Sequence, residues 1–347
     1  MYVKKNFSFR SIMQFTGHHL VWIGAWATFV TVVFEIFHWD WIHVPWLLLS
    51  VIGTAVAFYI GFKNNQAYDR LWEARKIWGA IVNSSRAWGS AVKGFTSNYF
   101  SDNPYTDEEL RCIREKLIYR HIGWLYALRS QLLLPTSWEH ISQGGMMKRA
   151  TERRMKRFGV GLLDDEITSA ELSNFLPKDE YQRLIDYKNT ATQIIDQQAQ
   201  DLKKLREDGI IDDFRHMELQ TILYHFYEHQ GKCERIKKFP LPRQYGSSSF
   251  IFVGIFIFLL PLGLVTELHE LPHVPVWLTI PFTMLVGWVY MMMELVGDYS
   301  ENPFEGLGND IPMLSLCRVI EIDLLEMLGK SKAQLPPPIE AKQGVLM

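Results

Sequence analysis

Residues 46–79, WLLLSVIGTAVAFYIGFKNNQAYDRLWEARKIWG, begin as an apolar run and become a charged amphipathic helix with no proline or turn cluster between. Gly53, Ala57 and Gly61 recur at i, i+4 and i+8, a small-residue stripe along which another helix can approach closely. Thr54, Phe58 and Phe62 form the adjacent stripe, so one narrow face carries two bulky rings. On spacing alone this is an ordinary packed helix, because apolar stripes at i, i+4 usually face a core. The rest of the chain decides whether it is more.

The chain has 347 residues, enough for two or three domains, or for one membrane domain plus a soluble one. A formal net charge of −2 predicts no bulk attraction to nucleic acid. Cys112, Cys233 and Cys317 lie far apart without a CxxC, which argues against a disulfide framework or a zinc ribbon. The average composition hides segregation: apolar residues concentrate in four blocks and nearly all the charge lies elsewhere. The chain opens MYVKKNFSFRSIMQFTG, which has cations but no compact apolar region with a cleavage site, so no cleaved signal peptide is expected.

Block one covers residues 20–37, at the lower edge of what spans a bilayer; block two starts at Trp46, after the aromatic break HWDWIHVP at 38–45. Block three covers 249–265 and block four 274–296, with Pro261 and Pro281 inside them, as membrane helices tolerate. Lys4, Lys5 and Arg10 precede block one, Lys63, Arg70, Arg75 and Lys76 follow block two, and Arg235, Lys237, Lys238 and Arg243 precede block three. No Lys or Arg lies between blocks one and two or within 266–274, and cations resume at Arg318. Every turn obeys the positive-inside rule for four spans with both termini cytoplasmic. The expected fold class is all-α, a polytopic membrane protein with four transmembrane helices and a helical cytosolic domain. The expected segments are cytosolic 1–17, transmembrane helices one and two in 18–62, the cytosolic domain in 63–240, helices three and four in 241–298, and a cytosolic tail 299–347.

About 180 polar residues separate spans two and three, too many for a simple loop. After the FSDNPY turn, Thr106 and Glu109 form a capping box opening a helix to Leu132. A basic helix at 148–159 reads as a solvated face first, and as an electrostatic or headgroup-facing surface second. Thr168 and Glu171 cap a short helix, Pro177 starts one running to Lys204, and the last covers 212–236.

The chemistry-bearing patterns are few. His225, Glu228 and His229 match H-x-x-E-H, which on a helix holds zinc beside a glutamate base, but no third ligand is evident. No P-loop, GxSxG or GxGxxG pattern occurs, and no catalytic or metal residue is assigned. Glu35 and Glu294 lie near span ends, where ionisable groups usually reach the interface. GDYSENPFEGLGNDIPM, residues 297–313, is oxygen-rich around Asn302, Glu305 and Asp310, a candidate cation site that does not fit EF-hand spacing. Capping of a following helix is its plainer reading.

GFKNNQAYDRLWEARKIWG at 61–79, CERIKKFPLPRQY at 233–245 and ENPFEGLGNDIPM at 301–313 together resemble the bestrophins, in their bacterial and plant-chloroplast branch. The resemblance covers nearly the whole chain. It implies a homopentameric ion channel in the membrane lipid, most naturally the bacterial inner membrane, each subunit giving its second span to a central pore. It places a three-residue hydrophobic neck at Thr54, Phe58 and Phe62, where rings of apolar side chains gate by dewetting. Thr54 departs from the usual aliphatic residue, an expectation of a wetter end. A lower cytosolic aperture maps to Ile211, with Ile210 as the alternative. Phe304 is followed by EGLGND rather than an acidic run, so no cofactor is expected and calcium is not expected to be required. The implied permeant ions are chloride or other monovalent anions. A monovalent cation channel of the same fold is the alternative, with a metalloenzyme on His225, Glu228 and His229 or a non-conducting scaffold behind it.

Overall fold

The structure is a computed structural model and describes residues 1–38, 44–101, 104–158 and 172–347. Its helices, in chain order, are α1 (Phe9–Phe37), α2 (Trp46–Phe95), α3 (Asp107–Leu133), α4 (Gly145–Phe158), α5 (Lys178–Ile185), α6 (Thr190–Glu207), α7 (Asp213–Lys238), α8 (Arg243–Glu270), α9 (Thr279–Asp298) and α10 (Met313–Met327). Among the described residues there is no strand, only isolated bridges from Val345 to Tyr2 and Lys342. The chain divides into two compact units. One comprises Lys4–Arg70 and Pro240–Asn302; the other comprises Met1–Val3, Leu71–Phe239 and Pro303–Met347.

The first unit is the apolar one. It contains α1, the start of α2, α8 and α9, and these four helices are each long and apolar enough to cross a membrane, with mean hydropathies of 1.9, 1.6, 2.5 and 1.6. Its core joins Ile23, Leu49, Val56, Ile60, Val253, Ile257 and Leu260. Large side chains such as Val21, Phe29, Ile251, Phe258, Leu285 and Val289 instead face outward, an inversion that suits a lipid-like solvent and no aqueous one. Pro281 sits in the first turn of α9, where no intrahelical donor is lost. Pro261 lies inside α8, and the Trp26 indole donates to the Phe258 carbonyl one turn earlier at 2.9 Å, so a neighbouring helix bonds the backbone near the interruption.

The second unit packs the remainder of α2 with α3, α6, α7 and α10 around Trp78, Trp88, Trp124, Tyr126 and Phe226. Its centre is held by a guanidinium: Arg120 grips Glu180 through Nε at 2.6 Å and Nη2 at 2.8 Å, and reaches Asp201 and Gln198 through Nη1. Thr106 and Glu109 form the expected capping box on α3. The helix expected from Pro177 to Lys204 is broken in two. The Asn189 side chain accepts from the Thr192 amide at 3.0 Å, starting α6 afresh, and the Thr190 hydroxyl donates to the Leu184 carbonyl of α5. Thr168 and Glu171, the expected caps of a short helix, lie outside the described residues, although 172–175 just after them are helical; residues 39–43 of the aromatic break and two of the FSDNPY turn also lie outside.

His121 is buried on α3 with its Nε2 2.9 Å from the Ser85 hydroxyl and its ring 4.3 Å from Phe226. Burial lowers its pKa from 6.5 to about 3. Above pH 6.5 the imidazole is neutral folded or unfolded; below it, the unfolded chain takes up a proton that the folded chain refuses. Stability is therefore expected to fall between pH 6.5 and 3, by up to about 1.4 kcal/mol per pH unit from this group. Denaturation midpoints of the detergent-solubilised protein across that range test this, since His121→Gln should flatten the slope and an unchanged slope would remove the attribution.

Candidate functional site

α2 is a single helix of 50 residues, and its two faces meet different surroundings. On one face Leu49, Gly53, Val56, Ile60, Lys63 and Ala67 are buried; on the other Val51, Thr54, Phe58, Phe62, Asn65 and Asp69 are exposed. Phe58 and Phe62 remain 67% and 69% exposed. The Thr54/Phe58/Phe62 stripe is thus unpartnered in the protomer, whereas a core stripe would have been covered. The Thr54 hydroxyl donates to the Ser50 carbonyl at 2.8 Å, so its donor is committed to the helix itself and it presents a methyl and an acceptor oxygen. That is less polar than a free hydroxyl, which tempers the expectation of a wetter end.

The opposite face is clamped within the apolar unit at three heights. At Gly53 an added Cβ would lie 2.8 Å from the Phe256 ring of α8, and the Gly53 carbonyl accepts from the Tyr290 hydroxyl of α9 at 3.0 Å. Six residues on, the Tyr59 hydroxyl donates to the Gln244 carbonyl at 2.9 Å and its ring meets Phe252 edge-on. Next, Lys63 pairs with Glu294, both almost fully buried, and Glu294 also accepts from the Ser249 hydroxyl. Asn64 donates to the Met293 carbonyl at 3.0 Å, and its side chain occupies the space a Cβ on Gly297 would need. The small-residue stripe is a packing surface at Gly53; Ala57 is half-buried, and nothing lies within 4 Å of a Cβ built on Gly61. Glu294, read from its end position as reaching the interface, is instead a buried partner of Lys63.

The aperture residues are corrected by burial. Ile210 and Ile211 are each 1% exposed in the core of the second unit, so neither presents a side chain to a channel. The cause is the end of α6. Gly209 takes φ +71°, its amide bonds the Arg206 carbonyl at 3.2 Å, and the Ile210 amide bonds the Leu205 carbonyl at 2.9 Å. This Schellman pairing folds the following apolar residue back onto the helix. DGII in the sequence carries that signal. At the start of α7 the exposed apolar side chains are Phe214, at 87%, and Met217.

The residues of the candidate cation site each have partners of their own. Asp310 accepts amide hydrogens from Phe304, Gly306 and Ile311 at 3.0, 2.8 and 2.7 Å, and so caps its own loop, in which Phe304 and Gly306 both take positive φ. Glu305 is engaged by the His140 ring at 2.9 Å. Asn302 belongs to the other unit and donates to Glu301 at 3.5 Å. In the H-x-x-E-H pattern the His225 and His229 rings lie 6.4 Å apart, but Glu228 pairs with Lys232 at 2.6 Å and His229 meets the Ser84 hydroxyl at 3.1 Å. Among the described residues no three His, Cys, Asp or Glu side chains gather as a metal site.

Four apolar spans and a second helical unit define an integral membrane protein, and the exposed face of its second span is the candidate functional surface. The chain matches the family described as Bacterial/Fungal Bestrophin protein over residues 7–326, and it belongs to that family. Among curated relatives, the voltage-dependent anion channel-forming protein YneE of Escherichia coli K12 is 26% identical over 290 residues, 84% of this chain and 78% of the relative. The voltage-dependent anion channel-forming protein mll4386 of Mesorhizobium japonicum is also 26% identical, over 83% of this chain and 77% of its own. A crystal structure of a bacterial bestrophin homolog from Klebsiella pneumoniae matches with TM-score 0.70 at 19% identity, covering 90% of this chain and 98% of that one. These relatives are named as channel-forming proteins, and the metalloenzyme reading of His225, Glu228 and His229 finds no support in them.

Proposed function

We propose that this chain is the protomer of a pentameric ion channel in the bacterial inner membrane, passing small monovalent anions such as chloride through a neck ringed by Thr54, Phe58 and Phe62. The observation that carries this is the exposure of those three side chains on a helix whose other face buries Leu49, Gly53, Val56, Ile60 and Lys63. An apolar stripe left bare by its own protomer acquires a role when copies surround an axis, because stacked apolar rings exclude ions until they widen or wet. The outward-facing side chains of α1, α8 and α9 then meet lipid. The backbone pairing of Val3 with Gly344 and of Leu346 with Met1 supports both termini on one side, taken as the cytoplasm. Phe214, exposed at the first turn of α7, replaces Ile210 and Ile211 as the residue assigned to a lower constriction. No cofactor is needed, and with Asp310 held by three amides calcium is not required.

The names of the curated relatives support anions as the permeant class. Purified protein in planar bilayers under a KCl gradient is expected to give single-channel currents reversing near the chloride equilibrium potential. Reversal near that of potassium would assign the cation channel instead, and a protein that inserts as a pentamer yet stays silent would favour the scaffold.

A further inference from the structure

Phe62, Asp69 and Lys76 stand at i, i+7 and i+14 on one face of α2, each step about 10.5 Å along the axis and only about 20° around it. Asp69 is exposed, and it makes no hydrogen bond or ion pair among the described residues. The charges that flank it are handled differently. Lys63 is turned into the protomer and neutralised by Glu294, and Glu73 pairs with Arg235 at 2.5 Å. Arg70 is half-buried and lies about 100° around the helix from Asp69. Between Phe62 and Asp69 the exposed side chains, Asn65, Gln66 and Tyr68, carry no formal charge at neutral pH. Asp69 is therefore the first charged side chain exposed on this face after the aromatic rings.

We propose that Asp69 is a specificity-determining residue that lowers the anion-to-cation permeability ratio of the pore. The inference rests on reading Thr54, Phe58 and Phe62 as the neck. Repeated around the axis, Asp69 forms a ring of carboxylates at the mouth of that neck, and acidic rings enrich cations and repel anions in a narrow passage. Lys76, the next exposed charge, lies about 10.5 Å further along, beyond a physiological Debye length of about 8 Å. It softens the carboxylate field without cancelling it.

Reversal potentials under a KCl gradient test the assignment. Asp69→Asn is expected to raise the chloride-to-potassium permeability ratio several-fold, Asp69→Glu to keep the wild-type ratio, and Lys76→Gln to lower it by less. Asp69→Cys on a Cys112→Ser background supplies a second test that needs no comparison between preparations. There, a negatively charged thiosulfonate should restore the wild-type ratio and a positively charged one should raise the ratio further. A conducting wild type whose ratio is matched by Asp69→Asn, or a Cys variant whose ratio ignores the sign of the reagent, overturns the role of Asp69 alone. A silent wild type overturns the channel reading beneath it.

Discussion

Alanine at both Phe58 and Phe62 is expected to raise macroscopic conductance in bilayers by about an order of magnitude, equivalent to about 1.4 kcal/mol off the barrier to ion passage. Each substitution removes a phenyl ring per subunit from the face of α2 that the described residues leave largely exposed. Two stacked rings of phenyls become two rings of methyls, so the passage widens and water fills it more readily, and an apolar constriction conducts once it is wet. Both rings are largely exposed, so their removal leaves little cavity and little change in protomer stability. Stability and current are thereby separated: melting should be nearly unchanged while conductance rises. Equal currents from wild type and the double variant would place the constriction elsewhere on the chain.

Lys63→Met is expected to destabilise the protein by about 3–5 kcal/mol, because it leaves the Glu294 carboxylate buried without its counter-charge. Lys63 and Glu294 are both almost fully covered, and only the Ser249 hydroxyl remains to bond the acid. Glu294→Met alone strands the ammonium and should be comparably damaging. The pair removed together, Lys63→Met with Glu294→Met, should recover most of the loss, since an apolar pair of similar volume needs no desolvation of charge. Thermal unfolding in detergent reads the cycle, and additive losses in the double variant would show that the two residues do not act as a pair.

The spans were legible because their length and the sorting of Lys and Arg report a bilayer directly, with no knowledge of packing. The exposed stripe of α2 was half legible. The i, i+4 spacing of Thr54, Phe58 and Phe62 fixed which residues share a face, but periodicity is blind to whether that face is covered, and only the positions of α8 and α9 answer that. Glu294 was misread for the same reason: its place near a span end was visible, its buried partner 231 positions away in sequence was not. Ile210 and Ile211 went wrong through a boundary, since extrapolating a motif by position ignored the Asp208-Gly209 turn that folds them inward. The plainer reading of Asp310 as a cap came from its setting among glycines, although it caps its own loop and not the following helix. That its three amide partners belong to a loop with two positive-φ residues is a property of the folded backbone alone.

The attachments of α2 at Gly53, Tyr59 and Lys63 span ten residues, about 15 Å of helix. Lys63 follows Phe62 directly, so swinging Phe62 away from the axis by turning α2 about itself would draw a buried ammonium off its carboxylate and break the hydroxyl bonds of Tyr290 and Tyr59. Rotation is thus the expensive motion. The aromatic side chains, free on their exposed side, can change rotamer with the backbone at rest, or the whole span can lean outward carrying α8 and α9 with it. A gate at the proposed neck would answer to side-chain flips or to the lateral pressure of its surroundings rather than to a twist of its own helix.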